Sequence, residues 1–233
     1  MLSKVNIVFL VLGIVCLFMA RVKKKSKFLV LFDQELEALA NLSSKPKLCL
    51  QACCSPCSIA VLELLSPYFQ ITLYYNGHNI YPYSEYQKRL VEIERLVDIA
   101  RNDFLASIDL VSIPPKINYY MQTLGIGAKE REGGSRCSMC YGMRLKECLD
   151  FARDNGYDYV STVMTMSRQK CSEKINDIAH LLMFKYPDLK YLYSDFKKRS
   201  GIDRSKQLCD EYSVYRQQYC GCAFSLYERM KSL

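Results

Sequence analysis

The sequence predicts an α/β fold built on a parallel sheet, in one domain, and three observations carry that prediction. Short runs rich in β-branched, aromatic and aliphatic residues alternate with longer amphipathic ones, the order of repeated strand–helix units. Turn-forming pairs, Asn76-Gly77, Pro114-Pro115 and Asn155-Gly156, punctuate them. With 233 residues, 50% of them hydrophobic, the chain can bury one sizeable core, and it holds no repeat or low-complexity stretch.

Residues 28–47 read as a helical lead-in, with Leu36, Leu39, Ala40 and Leu42 as its apolar positions. Residues 48–52 form a short buried strand. The Cys53–Cys57 loop follows, then a helix over 58–65, with Ser55 and Pro56 in the N-cap and first-turn positions. Residues 70–75 are β-branched and aromatic, hence a second strand that Asn76-Gly77 ends. Pro82 opens a helix over 83–100, and 108–113 is a third strand, stopped by Pro114-Pro115. A helix over 140–155 ends at Asn155-Gly156 and leads into a strand at 157–162. The helix at 172–184 lines up Ile175, Ile178, Ala179 and Leu182 on one face. A last strand at 189–193 and helices at 205–219 and 224–233 close the chain. This alternation makes the sheet parallel and Rossmann-like, with ligands at the carboxyl ends of its strands. The Cys53–Cys57 loop lies at that edge, which makes it the first candidate site.

Twelve cysteines could signal a secreted disulfide framework, but a chain this long does not need staples. They also cluster, as Cys53-Cys54-Ser-Pro-Cys57, Cys137-Ser-Met-Cys140 and Cys220-Gly-Cys222, which directs thiolates at common centres. Four thiolates from the first two groups suit a [4Fe–4S] cluster or a tetrahedral zinc, and spacing does not separate the two. In Cys220-Gly-Cys222 the glycine lets the sulfurs approach, and so small a disulfide ring is readily reduced, as a two-electron relay requires; the same two thiols also suit a metal. Cys16, Cys49, Cys148, Cys171 and Cys209 stand singly and read as small buried hydrophobes, and Cys57 as packing before ligation. His78 and His180 fit no zinc-finger spacing.

The net charge of +8 invites a nucleic-acid reading, but Lys4, Arg21, Lys23, Lys24, Lys25 and Lys27 carry six of it, leaving +2 for the body. RNA binding would therefore need a local patch. Residues 1–27 are set apart as an apolar segment with a basic stretch, and 28–233 as the catalytic domain. The apolar run at 5–20 is short for a spanning helix and carries its charge on the wrong side for a signal peptide, so it is an anchor with membrane contact or the product of a start preceding Met19. Either way the catalytic body is expected to face the cytoplasm, where free thiols and clusters persist.

The ordered motifs resemble one family. Cys53-Cys-Ser-Pro-Cys-Ser58, Asn79-Ile-Tyr-Pro-Tyr-Ser-Glu-Tyr-Gln-Lys-Arg89, Cys137-Ser-Met-Cys-Tyr-Gly-Met-Arg-Leu145, Asp195-Phe-Lys-Lys198 and Tyr215-Arg-Gln-Gln-Tyr-Cys-Gly-Cys222 are similar, in order, to those of the cobalamin-independent, iron–sulfur epoxyqueuosine reductases of the QueH type. The resemblance implies a [4Fe–4S] cluster on Cys53, Cys54, Cys137 and Cys140, and a redox-active pair in Cys220 and Cys222. It implies as substrate a tRNA carrying epoxyqueuosine at the wobble position, reduced to queuosine in the last step of its biosynthesis, with an electron donor the sequence does not identify. Asp195 either protonates the epoxide oxygen, ligates a second iron, or is salt-bridged beside Lys197-Lys198. Tyr81, Tyr83, Tyr86, Arg89, Tyr141 and Arg144 are candidate RNA contacts. The sequence departs from the family at Gln51, usually histidine, a change expected to alter tuning, and at Ser167-Arg168, usually Ser-Pro. Two other readings compete: a zinc-stabilised tRNA-binding module without redox chemistry, and a nucleotide-dependent tRNA-modifying enzyme. The second needs a Gly-rich phosphate loop where this chain has Cys53–Cys57 and no glycine.

Overall fold

The computed structural model describes residues 27–127 and 129–231; the expectations for the apolar segment fall outside them. Helix α1 (Lys27–Ala40) leads into β1 (Lys47–Ala52), α2 (Ser55–Leu65), β2 (Gln70–Asn76), α3 (Tyr83–Asn102) and β3 (Ile108–Ile113). Then come α4 (Ile117–Leu124), α5 (Ser135–Asp154), β4 (Tyr159–Thr162), α6 (Ser172–Met183), β5 (Lys190–Tyr191), α7 (Gly201–Glu211) and α8 (Ala223–Met230). The strands form one sheet in the order β3-β2-β1-β4-β5, every neighbour parallel.

Alternation along the strands builds two cores. Leu48, Leu50 and Ala52 of β1 with Ile71, Leu73 and Tyr75 of β2 face α1, α2 and α3, while Cys49 and Tyr74 face α5 and α6. Successive connections from β1 to β2 and from β4 to β5 run outward in opposite directions. The carboxyl ends of β1 and β4 therefore flank a topological switch point, where this architecture binds ligands. Gln51 ties the two strands together there: its Oε1 accepts from Thr162 Oγ1 at 2.6 Å, and its Nε2 donates to the Ala52 carbonyl at 3.0 Å.

Most expected elements are present, and four differ in ways that matter. Helix α2 begins at Ser55, so Cys54 is the N-cap in place of Ser55. Helix α5 starts at Ser135, which brings both Cys137 and Cys140 inside it. Helix α4, between Pro115 and Gly125, was missed because eight residues give too short a pattern. The helix expected at 205–219 ends at Glu211: Ser213 turns left-handed at φ 50° and Val214 N–H closes on the Cys209 carbonyl at 2.9 Å. No glycine or proline marks that stop. Residues 212–222 then run as a strap that carries Gln217, Cys220 and Cys222 over the carboxyl edge.

Candidate active site

The three cysteine motifs are each the start of a helix. Cys54 is the N-cap of α2, Cys137 and Cys140 occupy the opening turns of α5, and Cys222 is the N-cap of α8. Three positive helix ends thus meet the thiols, the polarity that favours thiolate. Backbone N–H groups reach two of the sulfurs: Gly133 donates to Cys137 Sγ at 3.2 Å and Ser225 to Cys222 Sγ at 3.4 Å. The helix end that carries Cys137 is held by Glu130, whose carboxylate accepts from the Ser135 N–H at 2.6 Å and the Arg136 N–H at 3.3 Å.

A chamber of about 140 Å³ opens beneath the strap, lined by Cys53, Cys54, Cys57, Glu132, Met164, Ser167, Gln169, Lys170, Gln217, Gln218, Tyr219 and Cys220. Cys140, 8% exposed, lies against this group and shares the field of Cys137, Cys220 and Cys222. Seven thiols from three distant stretches of chain are therefore neighbours. Two buried cations stand among them. Arg144, one turn after Cys140, is 1% exposed and shares its field with Cys53 and Cys140, while its Nε and Nη2 are buried without a partner. Lys170, 9% exposed, arrives from the segment after β4.

The thiols and cations shape one another's acidity. The Cys54 hydrogen bond and burial push the Cys53 thiol up, against the pull of Arg144 and Lys170. Cys54 is lowered by its bond to Cys53, but the bond to Cys57 and burial outweigh it and push the thiol up to about 12. Burial likewise lifts Cys140 to about 12, against Arg144. Burial opposes the charge on Arg144 and Lys170, yet the surrounding thiols hold both above their ordinary values: Cys53 and Cys140 for Arg144, Cys220 and Cys53 for Lys170. The site thus holds two buried positive charges beside thiols that keep their protons at neutral pH.

Arg89, expected on an RNA surface, is 1% exposed and spends its fork on the strap. Its Nη1 donates to the Cys220 carbonyl at 3.0 Å, Nη2 to the Tyr219 carbonyl at 3.1 Å, and Nε to Glu85 at 2.8 Å. Gly221 sits against this clamp at φ 129°, and a Cβ there would meet Arg89 Nη1 at 3.0 Å, so only glycine fits between the two cysteines. The Gly221 carbonyl accepts from the Tyr81 N–H at 2.8 Å. Tyr86, Tyr141 and Arg144 are buried too; of the expected RNA contacts, Tyr81 and Tyr83 are exposed.

Asp195 is buried outside the chamber lining: its Oδ1 accepts from Ser172 Oγ at 2.9 Å and pairs with Lys197 at 3.2 Å. Lys197 also donates to the carbonyls of Thr165 and Lys170, so this group of residues buttresses the segment that presents Lys170. Of the single cysteines, Cys49, Cys148 and Cys209 are buried as expected; Cys171 is exposed, because it precedes α6 on the outer side. Among the described residues no three of His, Cys, Asp and Glu converge closely enough to hold a single metal ion. Sequence reasoning missed Lys170, Gln217 and Glu132 as chamber residues, since an isolated polar residue in a connecting segment carries no spacing signal.

A parallel sheet that gathers thiols around buried cations at its switch point has the architecture of an oxidoreductase. The family model described as "Epoxyqueuosine reductase QueH" matches residues 48–228. Curated proteins of that name include one from Staphylococcus epidermidis, 38% identical over 184 residues, covering 78% of this chain and 76% of the relative. One from Streptococcus pyogenes serotype M1 is 33% identical over 198 residues, covering 83% and 77%; one from Thermotoga maritima is 29% identical over 184 residues, covering 77% and 90%. The chain belongs to the QueH epoxyqueuosine reductase family.

Proposed function

We propose that this chain reduces epoxyqueuosine at the tRNA wobble position to queuosine, with a [4Fe–4S] cluster on Cys53, Cys54, Cys137 and Cys140 and a redox pair in Cys220 and Cys222. The observation that carries the reading is the convergence of Cys53, Cys140 and Cys220, one from each cysteine motif, on the buried Arg144 and Lys170. The residues fit such a group. The donor set is all thiol, and Arg144 keeps two buried, unspent nitrogens where an anionic cluster needs donors. A cluster gives each iron its own thiolate, so its ligands stand further apart than those of a lone zinc ion.

Bound there, the cluster supplies electrons singly. The rest of the chemistry belongs to the chain. An epoxide becomes an alkene by taking up two electrons and two protons and losing its oxygen as water. Cys220 and Cys222 provide such a pair when their two S–H bonds give way to one S–S bond, and the unidentified donor restores the dithiol. Lys170, whose ammonium lines the chamber together with the hydroxyls of Ser167 and Tyr219, delivers a proton to the departing oxygen. Asp195, engaged by Ser172 and Lys197, acts by holding the Lys170 segment; to ligate a second iron it would have to exchange Lys197 for the metal. Among the described residues no helix is long and apolar enough to cross a membrane. On this reading the enzyme works in the cytoplasm, where its tRNA substrate is met.

Purification without oxygen tests the reading. The protein should be brown, carry about four iron and four sulfide per chain, and convert epoxyqueuosine-tRNA in a single turnover. A colourless zinc protein that binds tRNA without converting it would establish the binding-module alternative instead.

A further inference from the structure

Two cavities meet at the first turn of α2. The inner one is the thiol chamber. The outer one, of about 430 Å³, lies between that turn, residues 166–169, α7 and Arg216-Gln217. Its size is within the ~300–1,000 Å³ of ligand sites. Cys57, Ser167, Gln169 and Gln217 line both and form the wall between them. The outer lining carries three cations, Arg168, Lys206 and Arg216, and no carboxylate. Arg216 is neutralised by Asp210 at 2.8 Å, whereas Arg168 and Lys206 have no ion-pair partner among the described residues. In the dividing wall, Gln217 Oε1 is buried with no donor to meet it, which costs free energy until one arrives.

We propose that the outer cavity seats the nucleotide next to the modified one, with Arg168 and Lys206 on its phosphates and Gln217 accepting from a ribose hydroxyl or base N–H at the threshold. This rests on the reading of the substrate as tRNA. A loop nucleotide drawn into the inner chamber brings its neighbour's phosphates to the entrance, and an acid-free basic cavity opening onto the thiols is where they are received. Arg89 and Arg144 cannot do this, since both are enclosed, Arg89 holding the strap and Arg144 set among the thiols. Gln217 differs from both cations in kind: it adds a hydrogen bond and no charge. That difference separates their contributions experimentally.

The test is fluorescence anisotropy of a labelled anticodon stem-loop RNA with guanosine at the wobble position, titrated with the iron-loaded full chain at several salt concentrations. Arg168→Ala/Lys206→Ala, at exposed positions, should melt like the parent. It should weaken binding about tenfold or more and flatten the slope of log affinity against log salt by about 1.4, the contribution of two single-strand phosphates. Gln217→Leu should weaken binding about tenfold with the slope unchanged. Parental affinity and slope in the double variant would overturn the inference while leaving the functional reading intact. So would a double variant that loses affinity for NADPH and keeps it for RNA, which would assign the cavity to a soluble nucleotide. A parent that neither binds the stem-loop nor reduces its epoxyqueuosine form would remove this inference together with the functional reading.

Discussion

Two buried cysteine pairs mark the two ends of β1, four residues and about 13 Å apart along the strand. At its start, Cys49 meets Cys148 of α5 with the sulfurs 3.4 Å apart and both residues fully buried. At its end, Cys53 and Cys54 are almost as buried, and each shifts the other's acidity. The surroundings differ. Leu145, Leu149, Val160 and Tyr74 enclose the first pair, and burial, Cys49 and Glu147 all push the Cys148 thiol up. The second pair adjoins a chamber, two cations and the start of α2, whose N-cap Cys54 makes no side-chain capping bond. Burial and proximity alone make a thiol inert. Cations, helix ends and an opening for a ligand turn it into a site.

Several measurements would break or sharpen that contrast. The largest effect is expected from Cys54→Ala or Cys140→Ala, which should strip the iron and with it all turnover. Full iron content in either variant would end the ligand assignment. Cys222→Ala should lower single-turnover yield by about a thousandfold or more with iron unchanged, because the pair of electrons then has no dithiol to come from. Joint loss of iron and activity would make Cys222 a ligand.

Arg89→Ala should lower turnover about 10–100-fold, the usual cost of losing a positioning contact beside a metal site. Its signature is a shifted reduction potential of the Cys220–Cys222 pair at constant iron. Arg89→Lys keeps the charge but not the fork, and should fail to restore that potential. An unmoved potential in both variants would reduce the clamp to a stabilising contact.

Glu147 lies on α5 between the two regions. Its Oε2 accepts from Asn76 Nδ2 at 2.6 Å, His78 Nδ1 at 2.8 Å and the Tyr120 hydroxyl at 3.0 Å. Burial raises its pKa, but the bonds from His78, Asn76 and Tyr120 outweigh it and hold the carboxyl below its usual range. A depressed carboxyl stabilises the fold above the unfolded pKa, and that contribution fades as pH falls through the folded one. Glu147→Gln should cost about 1–3 kcal/mol near neutrality and show a shallower loss of stability below pH ~4.3 than the parent. Melting curves from pH 7 downward give the comparison, and parallel curves would sink the idea. The smallest effect is reserved for Cys148→Ala, about 1 kcal/mol of stability with turnover and iron intact. Lost iron there would show that the inner pair is no mere core filler.

The strand–helix order, the parallel sheet and the cysteine motifs were legible in the sequence because they are local: period, turn pairs and short spacings each report on a few consecutive residues. The same holds for Gly221, which its two flanking cysteines flag before any coordinate does. The strap was not legible, because α7 stops at a Ser213 in left-handed conformation that carries no breaker residue. Nor was the fate of the arginines. Arg89 and Arg144 look like surface cations on amphipathic helices, and only the packing of α3 and α5 against the carboxyl edge encloses them among carbonyls and thiols. Asp195, Lys170 and Gln217 make the same point. Their neighbours in space are distant in sequence, so the burial and charge that decide their chemistry exist only once the sheet has closed. Sequence by itself determined which residue types this protein has for redox chemistry and which strand end presents them; the tertiary structure alone decided which charges surround them, because electrostatic environment is a property of distance through the folded molecule and not along the chain.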